Sequence, residues 1–145
     1  LRAEFAGLPG EEIGRLRAEK GADAVTDLVR ETILGYSGDT PVEDLNRWQN
    51  TQVLIHEATF LTREAMPKND PRKGKHSTLD AVMEMIADSN VQQLILGHFS
   101  SRYNAIEIDA AIRKESARVG LSIPVFRVLP GQIMRDVLAS EPIAG

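Results

Sequence analysis

Residues 53–60 read Val-Leu-Ile-His-Glu-Ala-Thr-Phe (VLIHEATF). The apolar run Val53–Ile55, β-branched at both ends, predicts a short buried strand that stops at His56 and Glu57. Ligands of α/β sheets gather at the carboxyl ends of strands, so titratable side chains at such an end suggest that fold class. The pattern recurs on both sides. Upstream, Thr32–Tyr36 (TILGY) predicts a buried strand entering Ser37-Gly38-Asp39-Thr40. Downstream, Leu94–Leu96 predicts a strand ending at Gly97-His98, with Phe99-Ser100-Ser101-Arg102-Tyr103 after it.

Helical signals alternate with these runs. Pro9–Ala18 reads as a short amphipathic helix with Ile13 and Leu16 as its apolar pair. Thr40, Pro41 and Glu43 form a capping box with proline at the first helical position, predicting a helix to Trp48. Ser77 and Asp80 mark a second box and a helix to about Ser89, with Leu79, Val82, Met83 and Ile86 on one face. Asn104 and Glu107 open a third helix to about Val119, its apolar side formed by Ile108, Ala111, Ile112 and Val119. Pro124–Leu129 reads as a fourth strand, and the Pro130-Gly131 turn leads to a last one near Ile133–Leu138. Strands alternating with helices predict α/β layering, and the crossovers are long enough for parallel pairing.

A chain of 145 residues that is 42% hydrophobic has room for one domain, residues 1–145, and a core that needs no covalent staples. The absence of cysteine excludes disulfides, thiolate zinc sites and cysteine nucleophiles, and it fits a reducing compartment, here read as cytoplasmic. No apolar run approaches the roughly 20 residues of a membrane helix, and no signal peptide is visible. The net charge of -4 argues against a general electrostatic grip on nucleic acid. It leaves the local basic stretch Arg63–Lys75, read as a solvated loop. The chain starts at Leu1 rather than Met, which suggests a piece of a longer protein.

All three histidines lie at element ends: His56 and His98 after strands, His76 just before a helix. Each polar residue at these ends has a plain structural reading. Asp39 fits a turn that bonds its own backbone, Glu57 a surface carboxylate, His98 a satisfied imidazole and His76 a helix-flanking residue. Taken together they suit chemistry better. A carboxylate and a neutral imidazole at neighbouring strand ends form a donor set for a cation such as zinc when no thiolate is present. A second Glu–His pair nearby could relay a proton to a leaving group. Other motifs fail: Gly7, Gly10 and Gly14 do not make a dinucleotide fingerprint, Gly74-Lys75 lacks the rest of a P-loop, and neither GxSxG nor HExxH occurs.

The ordered set YSGDT, LIHEATF, KHST and LILGHFSSRY resembles the metallo-β-lactamase superfamily, and most of all its ribonuclease Z branch, which trims the 3′ ends of precursor tRNAs. The resemblance is good over Leu34–Tyr103 and loose over Leu8–Arg30. It implies an αββα sandwich with two zinc ions per complete site. By it, Asp39 matches the carboxylate that bridges the metals and His98 the last metal-binding histidine. Glu57 and His76 match the pair that supplies a proton to the leaving 3′ oxygen. Ser100 and Arg102 are expected to contact phosphate, since a guanidinium forks onto phosphate oxygens. His56 is read as orienting its strand end.

The family's HxHxDH signature and one further metal-binding histidine lie upstream of the Gly-Asp-Thr motif, and no histidine precedes His56 here. The expectation is therefore the C-terminal half of the fold, with an apolar sheet face left for the missing N-terminal half or for a second copy in a homodimer. Such a chain alone would be catalytically silent and hold zinc weakly. Two other readings stand beside it: a hydrolase of the same fold acting on another small ester, sulfate or phosphodiester, and a non-catalytic assembly module.

Overall fold

The computed structural model describes residues 1–28, 31–42, 45–66 and 75–145. The chain divides into two compact units, Leu1–Arg30 and Glu31–Gly145. In the first, a 3-10 turn (Ala3–Phe5) precedes helices α1 (Gly10–Lys20) and α2 (Ala22–Val25). Gly21 sits between them at φ 87°, a backbone angle open to glycine at little cost.

The second unit holds a four-stranded parallel sheet in the order β1 (Thr32–Tyr36), β2 (Thr51–Glu57), β3 (Gln93–Gly97), β4 (Val125–Arg127). Helix α3 (Leu79–Ala87) connects β2 to β3, and α4 (Ala105–Val119) connects β3 to β4. Register places Gly35, Leu54, Leu94 and Val125 side by side on one face. That face carries the core: Leu54, Leu94, Leu96 and Val125 are buried with Leu79, Val82, Met83 and Ile86 of α3 and Ile108 and Ile112 of α4. The predicted apolar stripes of both helices are the faces that pack. The capping box of α4 is also present, Asn104 Oδ1 accepting from Glu107 N at 3.0 Å and Glu107 Oε2 from Asn104 N at 2.8 Å.

The opposite face aligns Tyr36, Ile55, Ile95 and Phe126. It is buried at Ile95 and Phe126 and opens toward β1, where Leu34 and Tyr36 are 58% and 69% exposed. Thr32–Tyr36 is thus an edge strand in which only Gly35 is buried, not the buried strand expected. Gly35 is small for a reason: a Cβ there would lie 3.0 Å from both Leu54 Cδ1 and the Trp48 ring. Gly35→Ala is expected to lower stability by about 1 kcal/mol through overpacking, read as a shift of the urea midpoint at unchanged slope.

Three other expectations are corrected. The helix from Thr40 to Trp48 is, among the described residues, only a 3-10 turn at Leu45–Trp48; Glu43 of its predicted box lies outside the described residues. The Thr40 hydroxyl donates to the Ser37 carbonyl and closes the Gly-Asp-Thr turn. The turn after it ends at Asn50 in the left-handed region (φ 59°), held by Asn90 Oδ1 accepting from Asn50 N at 2.5 Å. The second helix starts one residue later than predicted, with Thr78 at its N-cap, because the Ser77 hydroxyl donates to the Thr40 carbonyl at 2.7 Å. No strand forms at Ile133–Leu138, where Ile133 is 93% exposed and a 3-10 turn covers Val137–Ala139. The outer edge of β4 is taken by the C-terminus: Val125 N donates to Ala144 O at 2.9 Å and Ile143 N to Val125 O at 2.8 Å. Much of the basic stretch Arg63–Lys75, residues 67–74, lies outside the described residues. Among the described residues no helix is long and apolar enough to cross a membrane.

Candidate functional site

Parallel strands deliver their carboxyl ends to one edge, so the segments after β1, β2 and β3 meet there. They bring Asp39, Glu57 and His98 together. His76 arrives on the segment before α3, which is stitched beside Phe60 by Leu79 N donating to Phe60 O at 2.8 Å. His76 then lies with its ring stacked on His98, 5.5 Å between centroids and 25° between planes. Asp39, Thr59, His76, His98, Ser100 and Arg102 line a polar cavity of about 510 Å³.

Glu57 stands behind this cavity and is buried. Its Oε2 accepts from Thr59 N at 3.0 Å and from Thr59 Oγ1 at 2.6 Å, its Oε1 from Ser77 N at 2.8 Å. His76 Nδ1 is 3.4 Å from Oε1. A carboxylate holding one imidazole nitrogen leaves the other to meet a substrate. The Glu57 N–H donates to Ser37 Oγ at 3.0 Å, which ties the ends of β1 and β2 together.

His98 adopts φ 58°, uncommon for a residue with a side chain and costly outside glycine. The strained turn directs its Nε2 to within 3.5 Å of Asp39 Oδ2, both side chains about half exposed. Glu57, His76 and His98 also have ligating atoms within 4.8 Å of one another, a group that can hold a metal ion. The two arrangements differ in availability. Both Glu57 oxygens are engaged by backbone and hydroxyl donors, whereas Asp39 and His98 face each other with solvent-accessible donor atoms. The 3.5 Å between them is close to the roughly 3.4 Å that separates two ligands of a tetrahedral ion with bonds of about 2.1 Å. Asp39 and His98 therefore fit a cation.

Arg102 lies at the cavity rim, its Nε donating to Ser100 Oγ at 3.2 Å and its guanidinium 5.2 Å from the Phe60 ring centre and 5.9 Å from that of Tyr103. Stacking of this kind holds an exposed guanidinium in place without neutralising it. His56 points away from the cavity, into the core face, where its Nδ1–H donates to the Glu57 carbonyl at 2.8 Å and its ring meets Trp48 edge-on. Burial holds this imidazole below its ordinary pKa, with the Glu57 carbonyl and carboxylate opposing. The neutral ring's share of stability is full above about pH 6.5 and is lost as pH falls from there through the lowered folded-state value. The stability gap between the wild type and His56→Gln is therefore expected to narrow in urea melts from about pH 8 to 5, and a constant gap would refute this.

Of the six predicted site residues, five line one cavity and Glu57 supports it from behind. Thr59 was legible as part of the motif but carried no role. It bonds Glu57 and both site histidines, His98 Nδ1 at 2.9 Å and His76 Nδ1 at 3.3 Å. No spacing rule finds such a contact, because residues 17 and 39 positions apart meet there.

Fold and site together describe an α/β chain whose strand ends present histidine and carboxylate donors, as the superfamily motifs implied. No family model matches the chain. Among curated proteins it is 40% identical over 126 residues to the ribonuclease Z of Methanocaldococcus jannaschii, covering 74% of this chain and 39% of that protein. It is 35% identical over 121 residues to the ribonuclease Z of Bacillus licheniformis, covering 82% and 38%. It is 28% identical over 128 residues to the chloroplastic tRNase Z TRZ2 of Arabidopsis thaliana, covering 85% and 35%. The chain is a metallo-β-lactamase relative. More narrowly, it is a ribonuclease Z-like relative that spans little more than a third of the length of these proteins.

Proposed function

We propose that residues 1–145 are the C-terminal part of a metallo-β-lactamase-like αββα domain, and that the complete domain is a metal-dependent endoribonuclease maturing the 3′ ends of precursor tRNA in the cytoplasm. The observation that carries this is the convergence of Asp39, His98, Glu57 and His76 at one sheet edge, beside a cavity rimmed by Ser100 and Arg102. Asp39 and His98 are the residues that would hold metal, with zinc the ion suited to an imidazole and carboxylate set. When bound, such ions supply Lewis acidity and a water acidic enough to attack a phosphodiester. The chain's own groups do the rest. Arg102, held by Ser100 and two aromatic rings, grips phosphate oxygens in a fork. His76, with Nδ1 against Glu57, carries a proton on Nε2 to the leaving 3′ oxygen.

The open sheet face around Tyr36 and Leu34 takes the remainder of the domain, or a second copy. The isolated chain is accordingly silent and binds zinc weakly, two protein ligands being half of what zinc usually takes. The test joins the chain to the upstream part of the Methanocaldococcus relative, where the family resemblance places the HxHxDH signature, and supplies zinc with precursor tRNA or bis(p-nitrophenyl) phosphate. Cleavage of the tRNA at its 3′ side by the joined protein, and none by the chain alone, is the expected result. Turnover by the chain alone with near-stoichiometric zinc would overturn the silent-fragment reading. Cleavage of the small diester without any of the tRNA would replace the substrate assignment.

A further inference from the structure

We infer that Thr59 is a positioning residue that sets the tautomer of His98 and thereby presents an unprotonated Nε2 to Asp39. The inference rests on the reading of Asp39 and His98 as a ligand pair, and it follows from counting hydrogens around one hydroxyl. As a carboxylate, Glu57 has only acceptors, so the Thr59 Oγ1–H, 2.6 Å from Glu57 Oε2, must be the donor in that bond. A hydroxyl has a single hydrogen. What remains on Oγ1 is acceptor capacity, and His98 Nδ1 lies 2.9 Å away. The bond between them exists only if His98 carries its proton on Nδ1. In the neutral ring the other nitrogen, Nε2, then keeps its lone pair, and it is the nitrogen 3.5 Å from Asp39 Oδ2. Two electron-rich atoms facing each other at that distance are arranged for a cation between them.

The backbone holds the relay in place. The Thr59 N–H is spent on Glu57 Oε2 at 3.0 Å, and the Thr59 carbonyl accepts from Ser100 N at 2.9 Å, so the segments carrying Thr59 and His98 are laced together. Thr59 is itself buried. Among the described residues His76 Nδ1 also faces acceptors, Thr59 Oγ1 at 3.3 Å and Glu57 Oε1 at 3.4 Å. One hydroxyl therefore orders the ligand and the proton-carrying ring at once. A partner that fixes the free nitrogen of a metal-binding histidine is a general requirement of such sites.

The test reads the tautomer directly, with no metal present. Long-range proton–nitrogen correlation spectra of the ring nitrogens are recorded on the full chain at about pH 8.5, well above the ordinary imidazole pKa of about 6.5. In the wild type His98 is expected to be predominantly the Nδ1–H form. Thr59→Val keeps the shape and removes the hydroxyl; it should shift His98 to predominantly Nε2–H, whereas Thr59→Ser should keep the wild-type form. Wild-type His98 found mainly as Nε2–H would overturn the inference, and this reading needs no variant to fold. A His98 that stays Nδ1–H in Thr59→Val would overturn it too. Failure of the joined protein to cleave RNA would remove the proposed function and leave the tautomer result standing, so the two can fail separately.

Discussion

Glu57→Ala is expected to destabilise the second unit by about 3 kcal/mol, although Glu57 is assigned to catalysis. A buried carboxylate with no arginine or lysine in contact among the described residues is costly to desolvate, so its removal could stabilise if that cost dominated. The donors decide the sign. Thr59 N, Thr59 Oγ1 and Ser77 N all give their hydrogens to Glu57, and truncation would leave the two backbone donors without a partner and take the acceptor of the Thr59 hydroxyl's hydrogen. Each hydrogen bond to a charged group contributes about 1.5–3 kcal/mol, and water entering from the adjacent cavity recovers part of the loss. Glu57→Gln should fall between, because one amide oxygen still accepts while the amide nitrogen faces donors. Urea denaturation of the three proteins at neutral pH checks this, and a Glu57→Ala variant within about 0.5 kcal/mol of wild type would show that water replaces the carboxylate fully.

On the proposed function, His76→Ala in the joined protein lowers kcat for precursor tRNA about 10²–10⁴-fold, the usual worth of a positioned acid. Its KM should change little, since Arg102 and Ser100 rather than His76 grip phosphate. Bound zinc separates this role from ligation. His76 belongs to the Glu57, His76 and His98 group that can hold an ion. If His76 were a ligand, the variant would lose zinc together with activity. As the acid of the Glu57 pair it keeps its zinc and loses only turnover. His98→Ala, by contrast, should lose both.

Most of the fold was legible in the residues. Short β-branched runs marked the strands, and the stripes Leu79, Val82, Met83, Ile86 and Ile108, Ile112 marked the faces that meet the sheet. The errors fall where two local signals compete. Thr40 carries a helix-start signature, yet its carbonyl accepts from the Ser77 hydroxyl, 37 positions away, and Pro41 and Val42 are not helical. Ile133–Leu138 has strand composition, yet a strand requires an edge, and Ile143 and Ala144 already occupy the free edge of β4. Neither outcome can be read locally, because each turns on what another segment has already bonded.

The site divides along the same line. Which residue types the proposed chemistry uses, and their order, are read from the chain alone: Asp39, Glu57 and His98 follow successive strands, His76 precedes a helix, and parallel strands must carry their ends to one edge. What awaited the folded molecule is how these groups share hydrogens. Glu57 proved buried and engaged rather than a surface carboxylate, His56 turned into the core, and Thr59 stood between Glu57 and two histidines. Hydrogen bonds saturate and act over about 3 Å, so their pairing depends on which loops fold back onto which. Periodicity records faces and ends, and carries no information about that.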